Sequence, residues 1–105
     1  LVGRVRNAVG EPALALSGGE QRIRRVGIIS GGAAGEIGAA VAAGCDAYFT
    51  GETSHSAYHE AAEQGIHVIF GGHYATETVG LRALARHLEA RYGLPWTFTE
   101  RPTGL

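Results

Sequence analysis

His73 and Glu77 stand four residues apart, directly after the paired glycines Gly71-Gly72. On a helix that spacing sets both side chains on one face, and imidazole with carboxylate is a ligand pair suited to zinc, manganese or iron. The same two residues also fit an ordinary helix start, with Glu77 an acid favoured by the helix dipole and His73 a hydrogen-bonded loop residue. Glu52 is the third candidate, as a further ligand, a base or a partner of the ligands. His55 and His59 form a second pair four apart, beside Glu52 and Glu63. Without a third fixed ligand, such a pair reads more readily as a solvated helix face. Ser30-Gly31-Gly32-Ala33-Ala34-Gly35 lies where backbone N–H groups could cradle an anion, but it matches neither the lysine-bearing phosphate loop nor the spaced dinucleotide fingerprint. A plain glycine-rich turn accounts for it equally well. Cys45 precedes a strand and has no histidine near it in sequence, so it reads as a small buried residue and not a nucleophile. Ser30 and Ser54 lack the nucleophile-elbow pattern.

The elements that must position these groups alternate. Leu1 to Val9 has the apolar spacing of a helix end stopped by Gly10, with Pro12 in agreement. Ala13 to Leu16 is a short strand candidate, ended by Ser17-Gly18-Gly19-Glu20. Val26-Gly27-Ile28-Ile29-Ser30 is a continuous apolar run of the kind buried on both faces. A helix is expected from Gly35 to Ala43, then a strand at Ala47 to Thr50. Ser54 caps a further helix, which turns Ala57, Tyr58, Ala61 and Ala62 inward and ends at Gly65. A strand at Ile66 to Phe70 delivers the chain to Gly71-Gly72-His73. The last helix carries Leu81, Leu84, Ala85, Leu88 and Tyr92 at helical spacing, a stripe that reads as buried, and His73 and Glu77 extend its line. After Gly93-Leu94-Pro95, the alternation in Trp96-Thr97-Phe98-Thr99 predicts a half-buried strand, and the residues from Arg101 onward a tail.

This order predicts an α/β layered sandwich, a largely parallel or mixed sheet flanked by helices. The three apolar strands begin near residues 26, 47 and 67, an interval that fits compact βα units. In parallel sheets the turns after the strands share one edge, where ligands bind. Ser30-Gly31-Gly32, Gly51-Glu52 and His73 with Glu77 should therefore meet in one cleft.

A chain of 105 residues with 45% apolar content, 17 glycines and 3 prolines is the size of a single domain with a real core. A net charge of −1, with no basic cluster beyond Arg22, Arg24 and Arg25, offers no electrostatic case for nucleic acid or an anionic membrane. One cysteine permits neither an intrachain disulfide nor a thiolate zinc site, and points to a reducing cytoplasm. No apolar run reaches the length of a membrane span. With Leu1 first and no methionine, the sequence is expected to be a fragment lacking its N-terminal portion.

Ser30-Gly31-Gly32, Asp46-Ala47-Tyr48-Phe49-Thr50-Gly51-Glu52, His59, Glu63-Gln64-Gly65 and, above all, Gly72-His73-Tyr74-Ala75-Thr76-Glu77 resemble the C-terminal half of the YbgI-like dinuclear-metal-centre family. That is the NGG-interacting-factor type, often labelled GTP cyclohydrolase type 2-like, and the resemblance covers nearly the whole chain. It implies a two-metal site to which this half contributes His73 and Glu77, while a histidine pair and an aspartate come from an N-terminal half that nothing here matches. The full site then cannot form from this polypeptide alone, which leaves a metal-free chain as one expected state. The resemblance also implies a homohexameric ring. The expected activity is metal-dependent hydrolysis of a small nucleotide-like or phosphate-bearing molecule, with Glu52 catalytic and Ser30, Gly31, Gly32 and His59 contacting substrate. The alternative is a metal-binding scaffold or interaction module without turnover.

Overall fold

Two short, largely apolar runs, Ala47-Tyr48-Phe49-Thr50 and His67-Val68-Ile69-Phe70, decide where the sheet lies. The computed structural model describes residues 1–10, 14–19 and 22–102. In chain order its elements are helix α1 (Val2–Val9), strand β1 (Leu14–Leu16), β2 (Val26–Ile28), a 3₁₀ turn (Ala34–Glu36) leading into α2 (Ile37–Ala42), β3 (Ala47–Thr50), α3 (His55–Gln64), β4 (His67–Phe70) and α4 (His73–Tyr92). The four strands form one sheet in the order β1-β4-β3-β2. β2, β3 and β4 run parallel, and β1 lies antiparallel to β4 with Ala15 opposite Ile69. The mixed α/β sandwich is the expected class. Pro12, in the expected break after the first helix, Ala13, the expected start of β1, Glu20 in the turn after it, and the last three residues of the tail lie outside the described residues.

One face of the sheet is well covered. Ile37 and Ala40 of α2 and Ala57 and Ala61 of α3 pack on Tyr48, Val68 and Phe70, with Ile66 beside them. Tyr48 is buried and its hydroxyl donates to the Ala33 carbonyl at 2.8 Å, so the ring fills the core without leaving its polar tip unpaired. The other face has a smaller cluster, Val5 on Ile69, with Val2, Val9 and Phe49 around it. Among the described residues, no helix is long and apolar enough to cross a membrane.

Four expectations change. Ala57 and Ala61 of α3 are buried, but Tyr58 is 58% exposed and Ala62 is exposed as well. Each lies one residue, about 100°, around the helix from the buried line, and the sheet below is narrow enough to cover only that line. β2 is an edge strand and not a strand buried on both faces, which leaves Ile28 exposed. The stripe on α4 is not buried: Leu81, Leu84 and Tyr92 are exposed, Ala85 and Leu88 only half-buried, and the one buried residue of the helix is Thr76. At 20 residues, α4 is about 30 Å long and outruns four-residue strands. Trp96 to Thr99 form no strand. This segment runs back along α4 instead, with Trp96 donating to Glu89, Arg82 over the Phe98 ring, and Glu100 held by Arg82 and the Tyr74 hydroxyl. Side-chain contacts to the helix thus replace a sheet edge.

Candidate metal centre

The turn after β2 is built into the ends of the next two strands. The Gly31 carbonyl accepts from the N–H groups of Gly51 and Glu52 at 3.0 and 2.9 Å and from the Thr50 hydroxyl at 3.2 Å. Gly72 N–H in turn donates to Gly51 O at 2.8 Å. The three strand-end turns therefore share one edge, as the parallel order predicts. Gly51 sits where these backbones converge: a Cβ there would lie 2.7 Å from Gly31 O and 2.9 Å from Gly72 O, so no other residue fits without moving the main chain.

His73 opens α4, and its ring lies between two carboxylates. Glu52 Oε2 is 2.9 Å from Nδ1, and Glu77 Oε1 is 3.2 Å from Nε2. The side chains are 38% accessible for His73 and 56% for each glutamate, so the group faces a cleft and not the core. The hydrogen bond to Glu52 is the main cause that raises the His73 pKa above its ordinary 6.5; desolvation opposes it, and the charge of Glu77 adds to the rise. Gly31, with φ +71°, borders the near side. A Cβ on it would lie 2.7 Å from Glu77 Oε1 and 3.4 Å from His73 Nε2, so the glycine keeps open the space into which both ligand atoms point.

The donor types, imidazole and carboxylate, are those that bind divalent metals, but among the described residues too few of them converge here to hold an ion alone. Glu52 and Glu77 engage opposite nitrogens of one ring, and among the described residues no three His, Cys, Asp or Glu side chains are grouped to hold an ion. Nε2 and Glu77 Oε1 lie together on the side next to Gly31. Glu52 takes the other nitrogen, the position from which a carboxylate orients a ligating histidine.

The other expected contacts divide. Gly31 and Gly32 border the group, and a Cβ on Gly32 would meet Glu52 Oε2 at 2.9 Å. Gly31 N–H, however, already donates to Thr76 Oγ1 at 3.1 Å, and two carboxylates flank the turn, which makes it a poor cradle for a free anion. Ser30 is exposed at the mouth of the turn. His59 packs edge-on against His55 and Tyr58, all on α3, and among the described residues no hydrogen bond or ring contact joins it to the His73 group. Thr76 is the residue that spacing did not single out. Its hydroxyl donates within the first turn of α4, to Gly72 O at 2.9 Å or His73 O at 3.0 Å, while accepting from Gly31, so one buried side chain fixes the helix start to the turn. Its place one residue before Glu77, on the side of the helix away from solvent, was the available signal.

A mixed sheet in this order, with an imidazole and two carboxylates gathered at the carboxyl ends of its parallel strands, defines an α/β protein with a polar cluster at the strand ends. Residues 1–103 match the family model of Duf34/NIF3 (NGG1p interacting factor 3), and the chain belongs to that family. It is 47% identical over 102 residues to a GTP cyclohydrolase 1 type 2 homolog of Deinococcus radiodurans, covering 97% of this chain and 39% of that one. Among solved structures, it is similar to TTHA1606 from Thermus thermophilus, with TM-score 0.82 and 43% identity over 99% of this chain and 42% of that one. It is also similar to protein ybgI, of unknown function, with TM-score 0.84 and 35% identity over 97% and 42%. The chain thus spans about two fifths of the length of these relatives.

Proposed function

We propose that this chain supplies part of a divalent-metal site, with His73 Nε2 and Glu77 as ligands, in a protein that hydrolyses a small nucleotide-like or phosphate-bearing molecule. The observation that carries the reading is the His73 ring held between Glu52 and Glu77 with Gly31 leaving the ligand side open. Zinc, manganese and iron suit this donor set. When bound, such an ion supplies Lewis acidity and an acidified water. The residues of this chain then have separate tasks. Glu52 holds the His73 tautomer with Nε2 free, Thr76 holds the helix start against the turn, and Gly31 and Gly32 admit the substrate close to the ligands. Two ligands do not complete a site, so the remaining ones come from outside these residues, in keeping with relatives more than twice as long. The reducing cytoplasm is the proposed compartment.

A second reading is favoured by one observation, the outward apolar stripe Leu81, Leu84 and Tyr92 on α4. It fits an assembly module that binds metal without turnover, built into a ring of copies.

The test is calorimetric titration with zinc, manganese and iron of this chain and of a chimera in which it replaces the matched 102 residues of the Deinococcus radiodurans relative. Binding by the chimera that is lost in His73→Ala and weakened roughly 10–100-fold in Glu52→Gln is expected. Unchanged affinity in both variants would return His73 and Glu77 to an ordinary helix start. Turnover of a nucleotide panel by the chimera, abolished by His73→Ala, separates the hydrolase from the scaffold.

A further inference from the structure

β2 has a free edge and an uncovered face. Arg25 O accepts from Ala47 N–H, and Ile29 N–H donates to Phe49 O, so the main-chain groups of alternate residues in β2 point at β3. By the alternation of a strand, the N–H and C=O groups of Val26 and Ile28 point the other way. Among the described residues no strand lies there. The side chains of Val26 and Ile28 stand on the sheet face that α1 covers only in part. Ile28 is 69% exposed, and the next residue, Ile29, is 44% exposed. Between Val26, Ile28 and α1 runs a groove walled by Leu1, Arg4, Val5 and Ala8, with Phe49 in it. Edge strands left to solvent usually carry a charge, a proline or a bulge that blocks pairing. Val26-Gly27-Ile28 has none of these.

We infer that β2 is an internal strand of the complete protein, paired along its free edge with a strand from the part of the longer polypeptide that this chain does not span, and that this strand's apolar side chains fill the groove beside Ile28. Three observations select that occupant. The relatives carry about three fifths of their length beyond the matched region, ample for further strands. The groove and the free edge adjoin, so a single extended segment satisfies both the unpaired main chain and the exposed Ile28. β2 also leads directly into Ser30-Gly31-Gly32, so a strand on its edge ends beside the His73 group, where further residues are needed. A second copy of this chain would offer only its own three-residue edge, a contact far smaller than the ~1,600 Å² that stable complexes typically bury. The inference uses the metal reading only for this last placement, and it stands or falls without metal.

The test is amide hydrogen exchange at Val26 and Ile28 in this chain alone and in the chimera described above. Exchange slowed on the order of 100-fold in the chimera is expected, with no such protection in the chain alone. Ile28→Lys should lower the Tm of the chimera by about 5 °C or more while leaving that of the chain alone almost unchanged. Equal exchange rates in the two proteins would overturn the inference, as would protection in the chain alone that grows with its concentration, the mark of a second copy. Should the chimera not fold, the same amides are read in the intact Deinococcus radiodurans relative at the positions aligned with Val26 and Ile28, where fast exchange would equally overturn it. Metal affinity is measured separately, so failure of this pairing and failure of the proposed site are distinguishable.

Discussion

His73 is useful because its two ring nitrogens have different neighbours. Glu52 on Nδ1 orients the ring, and Glu77 lies with Nε2 on the side that Gly31 leaves open. Gly31 is the sharpest probe of that arrangement. Its φ of +71° disfavours any side chain, and a Cβ would press on Glu77 Oε1 at 2.7 Å. Gly31→Ala is therefore expected to destabilise the fold by roughly 1–2 kcal/mol and to weaken metal binding by displacing the carboxylate. Thermal denaturation and calorimetry on the same variant check both. A Gly31→Ala protein that keeps wild-type metal affinity would show that the open side of the group is not where a ligand approaches.

At the level of elements, the lead-in to β2 depends on Asp46. Its carboxylate accepts the backbone N–H groups of Arg24 and Arg25 at 2.8 and 2.9 Å, which fixes where β2 begins beside β3. The bonds from Arg25 and then Arg24 lower its pKa below the ordinary 3.8, with burial acting weakly in the opposite sense. A depressed carboxylate stabilises the fold fully above its unfolded value, and that contribution is lost as pH falls below 3.8 through the lower folded value. Asp46→Asn should accordingly reduce stability at neutral pH and flatten the acid limb of the stability curve below about pH 4, as followed by urea denaturation across pH. An acid limb identical to that of the unsubstituted chain would remove Asp46 as its cause. The tail shows the opposite dependence. Trp96 and Phe98 alternate as a strand should, yet they settle on α4 through Glu89 and Arg82.

Across the whole molecule, apolar residues fall into two populations that composition cannot separate. Ile37 is fully buried between α2 and the sheet, whereas Leu84 is 54% exposed on α4. Ile37→Ala is expected to cost about 2–5 kcal/mol, and Leu84→Ala about 0.5 kcal/mol or less, in denaturant titrations of this chain. A large loss at Leu84 in the isolated chain would mean that α4 packs more tightly against the body than its exposure indicates. The sequence by itself determined the order of strands and helices as far as α4, the sharing of one edge by the three strand-end turns, and the candidacy of His73, Glu77 and Glu52. Each follows from local periodicity, glycine placement and the rule that parallel strands end on one side. Only the tertiary structure decided that β2 is an edge, that Leu81, Leu84 and Tyr92 of the α4 stripe and Tyr58 face outward, that Thr76 locks the turn, and that Glu52 takes the ring nitrogen opposite Glu77. Those depend on which surfaces the other elements reach, and a periodic apolar stripe reads the same whether this chain covers it or another segment does.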